Sequence, residues 1–251
     1  MDNFGKPYER RVIMFSDEKT LYQLKNDKSN RRFLTNSEIR IVSINDSNSF
    51  LNQFRILGGV LPQNNMMFVL SPFDDTTYIE LSEAKNKIAL DKLESTLRLC
   101  QLLGAKHIEI LEVKIHDKET NQSIFTKGQY ATVSGNLDSK VNELHNLKDQ
   151  IELTTKFDGG KANYEEAKYF LQQKRLSGDI FLSNLLEMRN QELVSSNPLR
   201  NITRKISMTE NLQKTFDMVA EINFPVGYFN FNYKSVTEEK TEILLTMKID
   251  F

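Results

Sequence analysis

Glu112 and Lys114 are the residues whose types and spacing are best suited to chemistry. They flank Val113 in the run Lys106-His107-Ile108-Glu109-Ile110-Leu111-Glu112-Val113-Lys114-Ile115-His116, which is rich in β-branched residues and reads as a strand. Residues two apart on a strand share a face. A carboxylate so placed can hold a divalent ion, while the ammonium stabilises an attacking water or developing phosphate charge. A second acid is then needed from a neighbouring element, and Asp74, Asp75 or Glu94 would supply it. The competing reading is an exposed ion pair on a wet strand face, worth little to stability.

The Glu-x-Lys spacing resembles the acid and lysine of the restriction-like nucleases over these three residues. That resemblance implies a metal-dependent nuclease using magnesium, and otherwise no cofactor is expected. A second group is basic. Arg200, Arg204 and Lys205, with Lys174 and Arg175 upstream, form a candidate anion-binding face or a strand edge guarded by charge.

Other chemistry is poorly supported. His107, His116 and His145 are the only histidines. Four strand residues separate His116 from Glu112, about 13 Å, too far to share one metal. No metal site is expected. Cys100 is the single cysteine. It sits on an apolar stripe with no acid or histidine within four residues, so it reads as a small buried hydrophobe. No Gly-rich phosphate loop and no Gly-x-Ser-x-Gly elbow is present.

The organising scaffold is a helix from Ser82 that stops at Gly104 and feeds the strand above. Ala89, Leu93, Leu97 and Cys100 make one apolar stripe, and glycine fits the left-handed residue that ends a helix. Before it, strands are expected at 11–15, 38–44 and 66–70, a helical turn at 20–25, an exposed basic loop at 25–36, and a short helix after Asp46 or Ser47 ended by Gly58-Gly59. Residues 72–75 read as a turn leading into the long helix.

After His116 the sequence predicts a turn at 117–121. A long amphipathic hairpin follows, with strands 129–141 and 151–157. Two helices come next, opened by Asn163 and following Asp179. A strand near 202–208 and a helix from Thr209 lead to a second hairpin across 227–251. In that hairpin Ile243, Leu245, Met247, Ile249 and Phe251 share a face. The fold class expected is α+β: a twisted antiparallel sheet with long hairpins and helices packed on one face. One domain over 1–251 is expected, with a weak boundary near 117–122. The two-hairpin layout resembles pore-forming proteins of the gasdermin and perforin type, which would imply a membrane partner.

Bulk composition narrows partners. The formal net charge is −1 with 27% charged residues, so no global field draws the chain to nucleic acid. The first residues lack an apolar leader, and cytoplasm is the expected compartment. The Lys- and Asn-rich composition fits an AT-rich genome, bacterial or viral. Without a compact catalytic constellation, the sequence favours a non-enzymatic protein acting through contacts with a protein partner or with itself as an oligomer. The nuclease is the alternative and the pore former the third reading.

Overall fold

Continuous apolar runs build the first sheet. The computed structural model describes residues 6–116, 121–126, 129–130, 156–190, 199–210, 215, 217, 219 and 242–251. The chain divides into two compact units, 1–87 with 211–239 and 88–210 with 240–251. The α+β class expected from the sequence is observed, with the strands divided between two sheets.

In the first unit, β1 (Val12–Ser16) is buried at all five positions, as a central strand covered on both faces must be. It pairs in parallel with β2 (Ile39–Ser43) and antiparallel with β4 (Met67–Leu70). β5 (Thr77–Glu80) follows β4 antiparallel, and the two-residue β3 (Arg55–Ile56) joins β5 in parallel. Phe15 meets Phe50 and Phe68 edge-to-face, with ring centres 5.3 and 5.7 Å apart, a favoured geometry for buried aromatics. Arg10 is buried beside them. Its guanidinium lies over the Phe54 ring and donates to the Tyr78 hydroxyl, which donates back to the Arg10 carbonyl.

Helix α1 (Glu18–Asn26) is capped by the Asp17 carboxylate, which accepts from the Thr20 amide. The stretch expected to be an exposed loop instead folds as a 3-10 turn (Lys28–Asn30) and helix α2 (Arg31–Leu34). Its Phe33 is buried, and a loop would have left that ring in water. Helix α3 (Ser47–Leu51) buries Phe50.

Helix α4 (Ala84–Leu102) begins after a 3-10 turn, Leu81–Glu83. The start expected at Ser82 is therefore shifted to Ala84. Ser82 lies inside that turn and its hydroxyl donates to Glu80. The helix ends as expected: Gly104 takes a φ of +82° and Ala105 donates back to the Cys100 carbonyl. A Cβ at Gly104 would collide with the Gly160 carbonyl oxygen.

The second unit is built on a five-stranded antiparallel sheet in the order β8-β7-β6-β10-β9. The strands are β6 (His107–His116), β7 (Asn121–Thr126), β8 (Gln129–Tyr130), β9 (Asn201–Ser207) and β10 (Glu242–Asp250). In β10 the buried residues are Ile243, Leu245, Met247 and Ile249, the period-two pattern of a half-wet strand. β6 and β9 occupy its two edges. The expected pairing of this strand with 229–233 in a terminal hairpin is therefore replaced. Both of its ladders are filled by strands distant in sequence, and 229–233 lies outside the described residues. Most of the earlier hairpin, 131–155, also lies outside them, and the expected turn at 117–121 gives way at Asn121 to β7.

Helices α5 (Tyr164–Gln173) and α6 (Ile180–Met188) start where Asn163 and Asp179 cap them. The Asn163 side-chain amide also donates to the Glu166 carboxylate, while its backbone amide donates to the Leu102 carbonyl, so the capping box expected at Glu166 is not completed. Both helices are tied to α4 by charge. Lys174 reaches Asp91 at 3.1 Å and Lys92 reaches Asp179 at 2.7 Å.

Candidate interaction edge on strand β9

Strand β9 terminates its sheet: it pairs with β10 on one side, and no strand among the described residues pairs with the other. The direction of its backbone groups follows from the two ends of the ladder. The Met208 amide donates to the Ile243 carbonyl at 2.9 Å, and the Phe251 amide donates to the Arg200 carbonyl at 2.8 Å. Between these bonds the register runs without a bulge. Antiparallel pairs alternate strictly, so the even positions from Arg200 to Met208 aim their amides and carbonyls at β10. Asn201, Thr203, Lys205 and Ser207 aim theirs outward.

A groove of about 410 Å³ runs along this open edge, all of it within the second unit. Helix α6 forms the facing wall through Ile180, Leu185 and Met188, and β9 contributes Ile202, Arg204 and Ile206. Ile180 is 79% exposed and Met188 39%, unusual for large apolar side chains that border one cavity. Lys92 and Asp179 also line the groove. Their side chains are only 1% and 10% exposed, so the two charges neutralise each other below the groove surface. The Ser207 hydroxyl is buried there with no hydrogen-bond partner. Arg204 and Lys205 are exposed and make no ion pair among the described residues.

The basic group foreseen in the sequence is thus partly assembled. Arg204 and Lys205 border the groove and Arg200 does not. Arg200 is exposed just before β9, and Lys174 is engaged by Asp91. Register also separates the two charges by face. Lys205 lies opposite Thr246 on the wet side of the sheet, and Arg204 lies opposite Met247 on the buried side.

Glu112 and Lys114 occupy that wet side in β6 and bind one another at 2.9 Å. The Thr246 hydroxyl also donates to Glu112, at 3.4 Å. Along the same face His107 and Lys248 lie near Asp250, at 3.8 and 3.2 Å. The proposed second acids are placed differently. Glu94 is an exposed residue of α4. Asp74 accepts from Thr76 and Thr77 within its own turn. Partial burial pushes the Asp74 carboxyl up, but these hydrogen bonds together outweigh it and hold the carboxyl below its ordinary value. The Asp75 carbonyl accepts from buried Arg10. Among the described residues no group of three or more histidines, cysteines and acids is placed to hold a metal ion.

Cys100 is fully buried, and burial pushes its thiol up to about 12. It is therefore a protonated core residue and not a nucleophile at neutral pH. No helix among the described residues is long and apolar enough to cross a membrane. Compared with protein-family models, with curated proteins and with solved structures, the chain matches none.

Proposed function

We propose that this protein is a non-enzymatic interaction module, and that a partner protein docks by adding an extended segment to the open edge of β9. The observation that carries this reading is the row of outward backbone groups on Asn201, Thr203, Lys205 and Ser207 beside a groove walled by α6. Main-chain bonds to such a row give affinity, and neighbouring pockets give specificity.

The occupant is a foreign segment and not a second copy of β9. β9 carries Arg204 and Lys205, follows Arg200, and holds no acid over Asn201–Ser207. Two copies paired antiparallel would bring these cations together, and like charges across a strand pair are destabilising. The same charges guard the edge against uncontrolled pairing.

The test is a library of random displayed peptides panned on the native chain and on Thr203→Pro. Proline at 203 removes an outward amide and leaves every bond to β10 in place, a position where edge strands accept proline. The native chain is expected to enrich peptides that the variant fails to retain, while both melt at similar temperatures. Equal retention by a folded variant, or no enrichment by the native chain, would overturn the reading.

A further inference from the structure

We infer that the segment accepted by β9 is acidic and alternating, with carboxylates on the wet side of the sheet and apolar side chains in the groove against α6. This rests on the strand-addition reading and specifies its partner.

An added strand places successive side chains on opposite faces. Those next to Thr203 and Lys205 fall on the wet face. There Lys205 has Thr246 as its inner cross-strand neighbour, and the acid beyond Thr246, Glu112, is engaged by Lys114. The vacant neighbour of Lys205 is on the outer side, where a carboxylate makes a favourable cross-strand pair. Glu210 lies past the end of β9 and lines the groove, so it disfavours acids beyond Ser207 and confines them to the stretch beside Thr203 and Lys205.

Side chains on the other face enter the groove. They meet Ile202 and Ile206 from the strand and Ile180, Leu185 and Met188 from the helix. Lys92 and Asp179 cancel beneath them, leaving Arg204 as the charge at mid-groove. Its guanidinium can lie flat on an inserted apolar or aromatic side chain while its edge stays wet. The groove therefore takes apolar groups at the same positions where the wet face takes acids, which is a period of two in the ligand.

The probes are three soluble synthetic peptides: one alternating Val and Glu, one alternating Val and Lys, and one with the Val and Glu of the first grouped into two blocks. Binding is read by fluorescence anisotropy at low and moderate salt on the native chain, Lys205→Glu and Thr203→Pro. The alternating acidic peptide is expected to bind at least about tenfold more tightly than the other two, a difference of about 1.4 kcal/mol. Lys205→Glu, an exposed substitution, is expected to reverse the order of the Glu and Lys peptides. Equal binding of both alternating peptides, lost in Thr203→Pro, would overturn the acidic preference and leave strand addition standing. Equal binding of the block peptide would overturn the alternation. If displayed peptides bind but none of the three probes does, the inferred partner is wrong and the docking edge is retained. Binding of the acidic peptide that persists in folded Thr203→Pro would overturn both.

Discussion

Replacing Lys92 by Met isolates a buried charge and tests how the groove floor is held. The Lys92 ammonium lies 2.7 Å from Asp179, and the two side chains are 1% and 10% exposed. Asp179 also accepts from the Leu182 amide to cap α6. Methionine keeps the length and packing of the lysine stem but leaves the Asp179 carboxylate dry and unpaired. Removing one partner of a buried pair costs about 3–5 kcal/mol, a large fraction of a typical domain stability of about 5–15 kcal/mol. Asp179→Asn should cost a similar amount by stranding the ammonium, although asparagine still caps the helix. The double variant Lys92→Met, Asp179→Asn strands neither charge and should recover most of the loss. Urea unfolding of all four proteins closes the double-mutant cycle. Lys174→Met is the internal control. It breaks the wetter Asp91 pair, with side chains 27% and 11% exposed, and should cost less. If Lys92→Met loses less than about 1 kcal/mol, the range of an exposed pair, the argument from burial is wrong.

Two further perturbations follow from the backbone and from titration. Gly104→Ala puts a Cβ at a left-handed residue and against the Gly160 carbonyl. The conformation alone costs about 1–2 kcal/mol, so calorimetry should show a melting temperature several degrees lower, whereas Gly178→Ala, with open space around it, should change little. Asp17 is held below its ordinary value chiefly by the Thr20 backbone amide, and Asp74 is lowered by Thr76 and Thr77 against its partial burial. A depressed folded value means that stability is fully present above the unfolded value of about 3.9 and lost as pH falls through the folded one. Denaturant midpoints measured down an acid series should fall below about pH 4, and less steeply in Asp17→Asn and Asp74→Asn. An unchanged acid limb in both variants would remove these carboxylates from the account.

What the sequence displayed was local. The alternation of Ile243, Leu245, Met247 and Ile249, the stop at Gly104 and the cap at Asn163 are each fixed within a few residues, and each is found where it was expected; Asp179, read only as the break before the next helix, proves to be its cap. Short strands were lost. Thr77–Glu80 has only four residues after a turn, and Asn121–Thr126 begins with polar residues that imitate a turn. Pairing was lost as well, because it is set by distant chain. Thr246 meets Glu112 from 134 residues away, and no local pattern names that partner. The site shows the same division. The cluster of Arg204 and Lys205 was visible, but the groove beside it needs α6, and the buried Lys92 looked like an ordinary polar position of a helix. Which β9 residues face outward depends on bonds at Met208 and Arg200 to a strand at the far end of the chain.

A strand edge that no strand among the described residues pairs, beside exposed Ile180 and Met188, is a hazard for a protein that must stay dispersed, since it offers backbone groups and apolar surface together. Both could have been removed by a proline in β9 or a charge on α6. Neither device is present at the groove: β9 holds no proline, and the Glu187 carboxylate of α6 accepts from the Tyr164 hydroxyl and does not line it, so the hazard is instead opposed by Arg204 and Lys205. On the proposed reading these cations repel a second copy of the same strand and Lys205 attracts a carboxylate, so the charges of β9 bear on both what is refused and what is accepted. A guard serving protection alone would work equally well with acids or with proline. A guard that must also admit a partner has to have a sign, and here the sign is positive on a chain whose net charge is −1. The local charge at β9 therefore does not follow from the composition, and it is the physical ground for proposing an interaction at this edge.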